Sequence, residues 1–174
     1  MTVLLKRFLP NDYVNSIHNI TPTMLKRHGI KGVITDLDNT LVAWDEPNAT
    51  QEVVEWIETL RHHNIQVVII SNNNESRVSS FSLPLDVPFI SKARKPMQHA
   101  FKKARRNMGL NRQDIAVVGD QVLTDVFGGN RAHYHTILVV PIVKTDGFFT
   151  RFNRLVERRL LKYFRRKGYL NWED

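Results

Sequence analysis

Asp36-Leu37-Asp38-Asn39-Thr40 directly follows an apolar run, Gly32-Val33-Ile34-Thr35, that reads as a buried strand. Side chains alternate along a strand, so Asp36 and Asp38 are expected on one face and Leu37 on the other. Two carboxylates at the carboxyl end of a strand stand where open α/β sheets bind ligands. Charges that close repel unless a cation or a proton offsets them, which makes the pair a candidate metal site.

Three later segments repeat the arrangement. Gln66-Val67-Val68-Ile69-Ile70 stops at Ser71-Asn72-Asn73, and Pro88-Phe89-Ile90-Ser91 leads into Ala93-Arg94-Lys95-Pro96. Ile115-Ala116-Val117-Val118 stops at Gly119-Asp120-Gln121, with Asp125 five residues beyond Asp120. Continuous apolar runs of this length suit a parallel sheet covered on both faces, whose strand ends gather on one edge. The pattern predicts an α/β fold: strands near 32–36, 66–71, 87–90, 114–119 and 136–140, and helices near 50–63, 75–81, 97–108 and 123–132. Asn48 or Thr50 can cap the first of these helices, and Pro96 can open the third. A short helix is expected earlier, capped by Thr21, started by Pro22 and closed by Gly29.

The ordered set resembles the haloacid dehalogenase-like phosphatases from about Lys31 to Val140. The matching positions are Asp36 and Asp38, then Ser71, then Lys95, then Asp120 and Asp125. Within that superfamily the chain is similar to the small YqeG-type branch of subclass IIIA, itself similar to mitochondrial phosphatidylglycerophosphate phosphatases. The resemblance implies a Rossmann-like three-layer sandwich around a central parallel sheet, with a turn and a small flap hairpin within 39–48. It also implies Mg²⁺-dependent hydrolysis of a phosphomonoester through an aspartyl-phosphate, the lipid phosphatidylglycerophosphate being the named substrate. Leu37 departs from the mitochondrial relatives, which often carry a basic residue there.

Roles follow for each position. Asp36 is the expected nucleophile, and Asp38 the acid that protonates the leaving alcohol and then activates water. Asp36, the backbone carbonyl of Asp38, and Asp120 would hold Mg²⁺, an ion suited to oxygen ligands. Ser71, Asn72 and Lys95 are the expected substrate contacts, Lys95 as a positive charge beside the phosphoryl group. Asp125 is expected to orient Lys95 or a metal-bound water.

Only 32 residues separate Asp38 from Ser71 and 23 separate Ser71 from Lys95, too few for an inserted cap domain. In this superfamily an absent cap accompanies large substrates: a protein, a polynucleotide, or a lipid at an interface. The expected layout is an N-terminal extension over 1–30, a phosphatase core over 31–143 and a basic amphipathic segment over 144–174.

The net charge of +8 favours an anionic partner. Residues 151–168 hold eight Lys/Arg against Glu157 alone, and 92–106 hold seven with no acid. Leu155, Val156, Leu160, Tyr163 and Phe164 recur at helical spacing, with Arg154, Arg158, Lys162 and Arg165 largely elsewhere. Such a helix can pack on its own domain, lie on anionic lipid or attract nucleic acid. The chain has no cysteine, which excludes disulfides and thiol catalysis and fits a reducing cytoplasm. No stretch reaches the ~20 apolar residues of a membrane span, and the first ten residues are too weakly apolar for a secretory signal. A cytoplasmic enzyme is expected, peripheral on the inner face of the membrane if the basic helix docks there. The seven histidines read as surface or helix-end residues without a metal site. Two other functions stay open: a phosphatase acting on a soluble metabolite, protein or nucleic-acid end, and a non-catalytic module binding RNA or a partner.

Overall fold

The computed structural model describes residues 3–143 and 148–169, with side chains described for 4–143 and 155–169. Six strands form one all-parallel sheet: β1 (Asp12–Val14), β2 (Gly32–Thr35), β3 (Gln66–Ile70), β4 (Phe89–Ile90), β5 (Ile115–Gly119) and β6 (His135–Val139). Their spatial order is β1-β6-β5-β2-β3-β4. The chain therefore runs outward from β2 through β3 to β4, then returns to lay β5 on the other side of β2. That reversal puts a crevice at the carboxyl ends of β2 and β5, the place where such sheets bind ligands.

Alternation along β2 sends Val33 to one face and Ile34 to the other. The Val33 face is covered by α2 (Pro22–Arg27), α3 (Gln51–His62) and α4 (Glu75–Ser82), through Leu25, Val53, Ile57, Val78 and Phe81. The Ile34 face is covered by α5 (Gln98–Met108), through Ala100, Phe101 and Ala104. A four-residue helix, α1 (Val3–Lys6), precedes β1, and α6 (Phe127–Arg131) precedes β6. The C-terminal helix, α7 (Phe148–Arg166), packs Leu160 and Leu161 on Val122, Val126 and Leu138. No helix among the described residues is long and apolar enough to cross a membrane.

Local chemistry sets the helix ends. Thr21 caps α2, its Oγ1 accepting from the Met24 N–H at 3.2 Å. Thr50, rather than Asn48, caps α3 through the Val53 N–H. No cap domain interrupts residues 3–143, and the three-layer sandwich expected from the sequence is present.

Several elements differ from the sequence pattern. The sheet has a sixth strand, β1, drawn from the N-terminal segment and paired parallel to β6. The expected helix over 123–132 is split into a π-helical turn, Val122–Val126, followed by α6. Pro96 lies before α5 rather than at its first position, because the helix starts at Gln98 with Met97 as cap. Residues 39–48 form turns closed by one isolated bridge, Asp38 with Val42, instead of a flap hairpin.

The apolar stripe expected on α7 is displaced. Phe164 and Glu157 are buried, Leu160 and Leu161 half-buried, and Leu155, Val156 and Tyr163 exposed. A buried glutamate on the packing face is the reason, since periodicity counts it as polar. The Arg151 and Arg154 side chains fall outside the described residues. His28 and His135, expected as surface or helix-end groups, meet Asp12: the His135 Nε2 lies 2.5 Å and the His28 Nε2 3.6 Å from its Oδ2.

Candidate active site

Every sequence-derived position lies at the carboxyl edge of the sheet. The Asp36 N–H donates to the Val118 carbonyl at 2.9 Å, which extends the β2–β5 pairing one residue and fixes Asp36 beside Asp120. Asn39 then takes a left-handed backbone, φ 63°, a conformation asparagine tolerates well. The reversal it makes brings Thr40 back over β5, where its Oγ1 donates to Asp120 Oδ1 at 3.1 Å.

Lys95 reaches this edge from the loop after β4. Its backbone N–H donates to Asn72 Oδ1 at 2.6 Å, and Asn72 Nδ2 returns a bond to the Lys95 carbonyl at 3.3 Å. So clamped, the buried Lys95 Nζ lies 2.7 Å from Asp36 Oδ1 and 2.7 Å from Asp125 Oδ1. Asp125 sits in the π-helical turn, and its Oδ2 accepts from the Gln121 N–H at 3.2 Å and the Thr124 hydroxyl at 3.3 Å. A side chain at Gly119 would collide with the Asp125 carboxylate, so glycine is required for that turn to close on the site.

The carboxylates of Asp36, Asp120 and Asp125 can bring one oxygen each within 4.8 Å of one another, and all three residues are buried. Lys95 is the ammonium that neutralises one of their charges. With all three ionised, two negative charges remain, the deficit a divalent cation would fill with oxygen ligands. Burial above all pushes the Asp36 pKa well above its ordinary value; Lys95 opposes this, and Asp125 and Asp120 reinforce it. Burial works to lower the Lys95 pKa, but Asp125 and Asp36 outweigh it and the result is raised, so Lys95 is a cation. The residues present therefore fit a divalent metal.

Asp38 stands apart from that cluster. Its Oδ1 accepts from Arg77 Nε at 3.2 Å and Arg77 Nη2 at 3.1 Å, and its Oδ2 accepts from Asn73 Nδ2 at 3.2 Å. Ser71 is buried and its Oγ accepts from the Asn73 N–H at 3.0 Å, while the cap of α4 is Asn74. The sequence reading missed Arg77, Asn73 and Thr40. Thr40 was visible as the end of the Asp-x-Asp-x-Thr pattern. Arg77 could have been found from its place in the first turn of the helix after Ser71, which faces the strand ends.

Comparison with known proteins agrees with this geometry. Residues 2–84 match the family described as mitochondrial PGP phosphatase, and residues 92–141 match the family described as HAD-hydrolase-like. A probable phosphatase, YqeG of Bacillus subtilis (strain 168), is 59% identical over 172 residues, covering 99% of this chain and 100% of its own. The chain belongs to this YqeG-type family of haloacid dehalogenase-like phosphatases. The phosphatase is also 27% identical over 173 residues to phosphatidylglycerophosphate phosphatase 1, chloroplastic/mitochondrial, of Arabidopsis thaliana. That match takes in 92% of this chain but spans about half, 49%, of the plant protein.

Among solved structures, the cobalt-bound deoxy-D-mannose-octulosonate 8-phosphate phosphatase of Haemophilus influenzae superposes with TM-score 0.55 at 17% identity, covering 79% of this chain and 90% of that one. The 3-deoxy-D-manno-octulosonate 8-phosphate phosphatase of Yersinia pestis gives 0.52 at 14%, covering 78% and 81%. At these identities the likeness concerns the fold.

Arg77 holds Asp38 with two nitrogens and also donates from Nη1 to the Pro47 carbonyl at 3.1 Å. If Asp38 is the proton-transferring group the sequence leads one to expect, Arg77→Ala is expected to lower kcat by about 10²-fold with a smaller change in KM, the cost of letting that group drift by about an ångström. Arg77→Lys should recover part of it. Steady-state kinetics with a soluble phosphoester decides: a loss carried wholly by KM would mean that Arg77 binds substrate instead of positioning Asp38.

Proposed function

We propose that this phosphatase is a Mg²⁺-dependent lipid phosphomonoesterase that converts phosphatidylglycerophosphate to phosphatidylglycerol. The observation that carries the substrate is the paired match, to the mitochondrial PGP phosphatase family over 2–84 and to the plant enzyme over most of the chain. An edge without an inserted cap supports it, because a lipid head group must be reached while the rest of the lipid stays in the bilayer.

In this reading an Asp36 carboxylate oxygen attacks phosphorus in line, and the bond from phosphorus to the alcohol oxygen breaks. Asp38 gives its proton to the departing oxygen. It then takes a proton from water, whose oxygen attacks the aspartyl-phosphate, releasing inorganic phosphate and restoring Asp36. Ser71, Asn72 and Lys95 lie beside the transferring group, Ser71 and Lys95 donating to its oxygens and Asn72 holding the Lys95 backbone. Mg²⁺, held by Asp36, the Asp38 carbonyl and Asp120, would supply charge that keeps Asp36 ionised and offsets the substrate phosphate. Asp125 orients Lys95.

Peripheral membrane contact belongs to the same proposal. Arg159, Lys162 and Arg166 lie on the exposed side of α7 together with the exposed Leu155. Basic residues near an anionic surface contribute about 1 kcal/mol each. Phosphate release from phosphatidylglycerophosphate in anionic vesicles is expected to exceed that from soluble phosphoesters by at least about tenfold in kcat/KM. Replacing Arg159, Lys162 and Arg166 together by Gln should weaken vesicle binding at low salt and flatten its salt dependence. Equal or better turnover of a soluble metabolite or nucleotide end would replace the lipid by that substrate. Vesicle binding unchanged in the triple variant would remove the membrane contact.

A further inference from the structure

Alternation along β1 and β6 selects which of their side chains meet. Tyr13 and Leu138 pack with Val122 on one side of the sheet, whereas Val14, Ile137 and Val139 pack into the core on the other, with Leu25 of α2. Asp12 and His135 stand two residues before Val14 and Ile137, so they face the α2 side as well. Each is the first residue of its strand, at the amino edge of the sheet and away from Asp36 and Asp120. There they meet His28, the residue that ends α2.

The backbone holds this meeting in place. The Asn11 N–H donates to the Thr136 carbonyl, and the Thr136 N–H donates back to Asn11 Oδ1, both at 2.9 Å. Asp12 and His135, each adjacent to one of these residues, are thereby fixed side by side. The Asp12 Oδ2 lies 2.5 Å from His135 Nε2 and 3.6 Å from His28 Nε2, and the two imidazole rings are 4.4 Å apart, centroid to centroid. One ligand atom from each of the three residues lies within 4.8 Å of the others.

A hydrogen-bonded clasp needs one imidazole, yet two are aimed at the same carboxylate oxygen. If both were protonated, two cations would crowd one anion. With both neutral, two ring nitrogens and one carboxylate make a donor set with a single net negative charge. Such a set suits Zn²⁺, which takes imidazole nitrogen and carboxylate oxygen, better than Mg²⁺, which takes oxygen and keeps its waters. Zn²⁺ bonds of about 2.0–2.2 Å put tetrahedral ligands about 3.3 Å apart. The 3.6 Å pair is already near that spacing; the 2.5 Å pair must open slightly, with the His135 hydrogen carried on Nδ1. The His28 side chain is 41% exposed, which leaves a fourth position open to water.

We propose that Asp12, His28 and His135 form a Zn²⁺ site, separate from the active site and of different chemistry. The ion ties β1 and α2, which both precede the β2 strand of the catalytic edge, to β6. Because it sits at the opposite edge of the sheet from the candidate active site, its role is to stabilise the fold and not to take part in the reaction. The proposal does not depend on which substrate the phosphatase takes.

The test is calorimetric titration of chelator-stripped protein with Zn²⁺, in excess Mg²⁺ to occupy the candidate active site. Removing a group that merely orients a metal ligand costs about 10–100-fold in affinity, so His28→Gln and His135→Gln should each weaken Zn²⁺ binding at least about 100-fold. Asp120→Ala should leave this binding unchanged. The melting temperature in excess Mg²⁺ should climb with Zn²⁺ concentration in the wild type and stay flat in His28→Gln. His28→Gln exchanges one exposed polar side chain for another, so it should fold and turn over a soluble phosphoester with Mg²⁺ at the wild-type rate. No Zn²⁺ bound by the wild type, or binding unchanged in both histidine variants, would overturn the proposal and leave a hydrogen-bonded clasp. Binding lost in Asp120→Ala would overturn it too, by placing the ion among the carboxylates instead.

Discussion

Asp36→Asn is expected to lower phosphate release by at least about 10⁴-fold while the protein still folds, because under the proposed mechanism the attacking oxygen is lost and the shape is kept. Lys95 keeps a partner in the variant, since Asp125 lies at the same 2.7 Å distance as Asp36. Removing one of three buried carboxylates also relieves repulsion, so the metal-free variant should melt no lower than the metal-free wild type. Loss of activity could instead reflect a lost metal ligand, and the two are separable. Acid-quenched wild-type protein should carry a phosphoryl group on the peptide containing Asp36, and the variant should carry none at any Mg²⁺ concentration. Phosphate release within tenfold of wild type would end the nucleophile assignment.

The strand-end architecture was legible because a strand buried on both faces must be apolar throughout. Val33-Ile34, Val67 to Ile70 and Ile115 to Val118 are such runs, and Asp36, Ser71 and Asp120 follow them within two residues. β1 was not legible for the opposite reason. Asp12-Tyr13-Val14 is too short and mixed to stand out, and its place is set by distant partners. The Asn11 N–H bonds the Thr136 carbonyl at 2.9 Å, and Asn130 Nδ2 bonds the Arg7 and Leu9 carbonyls at 2.9 Å each. The same limit hid the meeting of Asp12, His28 and His135, whose members sit on three separate elements.

Polar side chains inside the packing are what hydrophobic periodicity misreads. Leu155, Val156 and Tyr163 fit a helical stripe in sequence, yet the inner face of α7 is set by Glu157 and its bond to Leu123. Arg77 is a similar case. A helix pattern records it as one more charged residue on α4, and only the fold brings its guanidinium to Asp38. The acids could be named from spacing, whereas the groups that hold them required the tertiary structure.

Removal of divalent metal is expected to stop hydrolysis, by about three orders of magnitude or more, with Mg²⁺ restoring it and Ca²⁺ doing so poorly. The same deficit of charge fixes a signature that needs no substrate. In the metal-free protein burial, Asp125 and Asp120 raise the Asp36 pKa above its ordinary 3.8 against the pull of Lys95. Between that ordinary value and the raised one, the native protein holds a proton that the unfolded chain has released. Stability must then fall as pH climbs through this window, the reverse of a carboxylate whose pKa is depressed by folding. Asp120→Ala removes one neighbouring charge, so it should lessen the fall while weakening Mg²⁺ binding and activity together. With Mg²⁺ bound the ionised form of Asp36 is favoured, and the melting temperature should rise with pH over the same range instead of dropping. Melting curves at a series of pH values, in chelator and in excess Mg²⁺, read both slopes. Identical slopes, or full activity in chelator, would mean that Asp36 and Asp120 do not hold a metal.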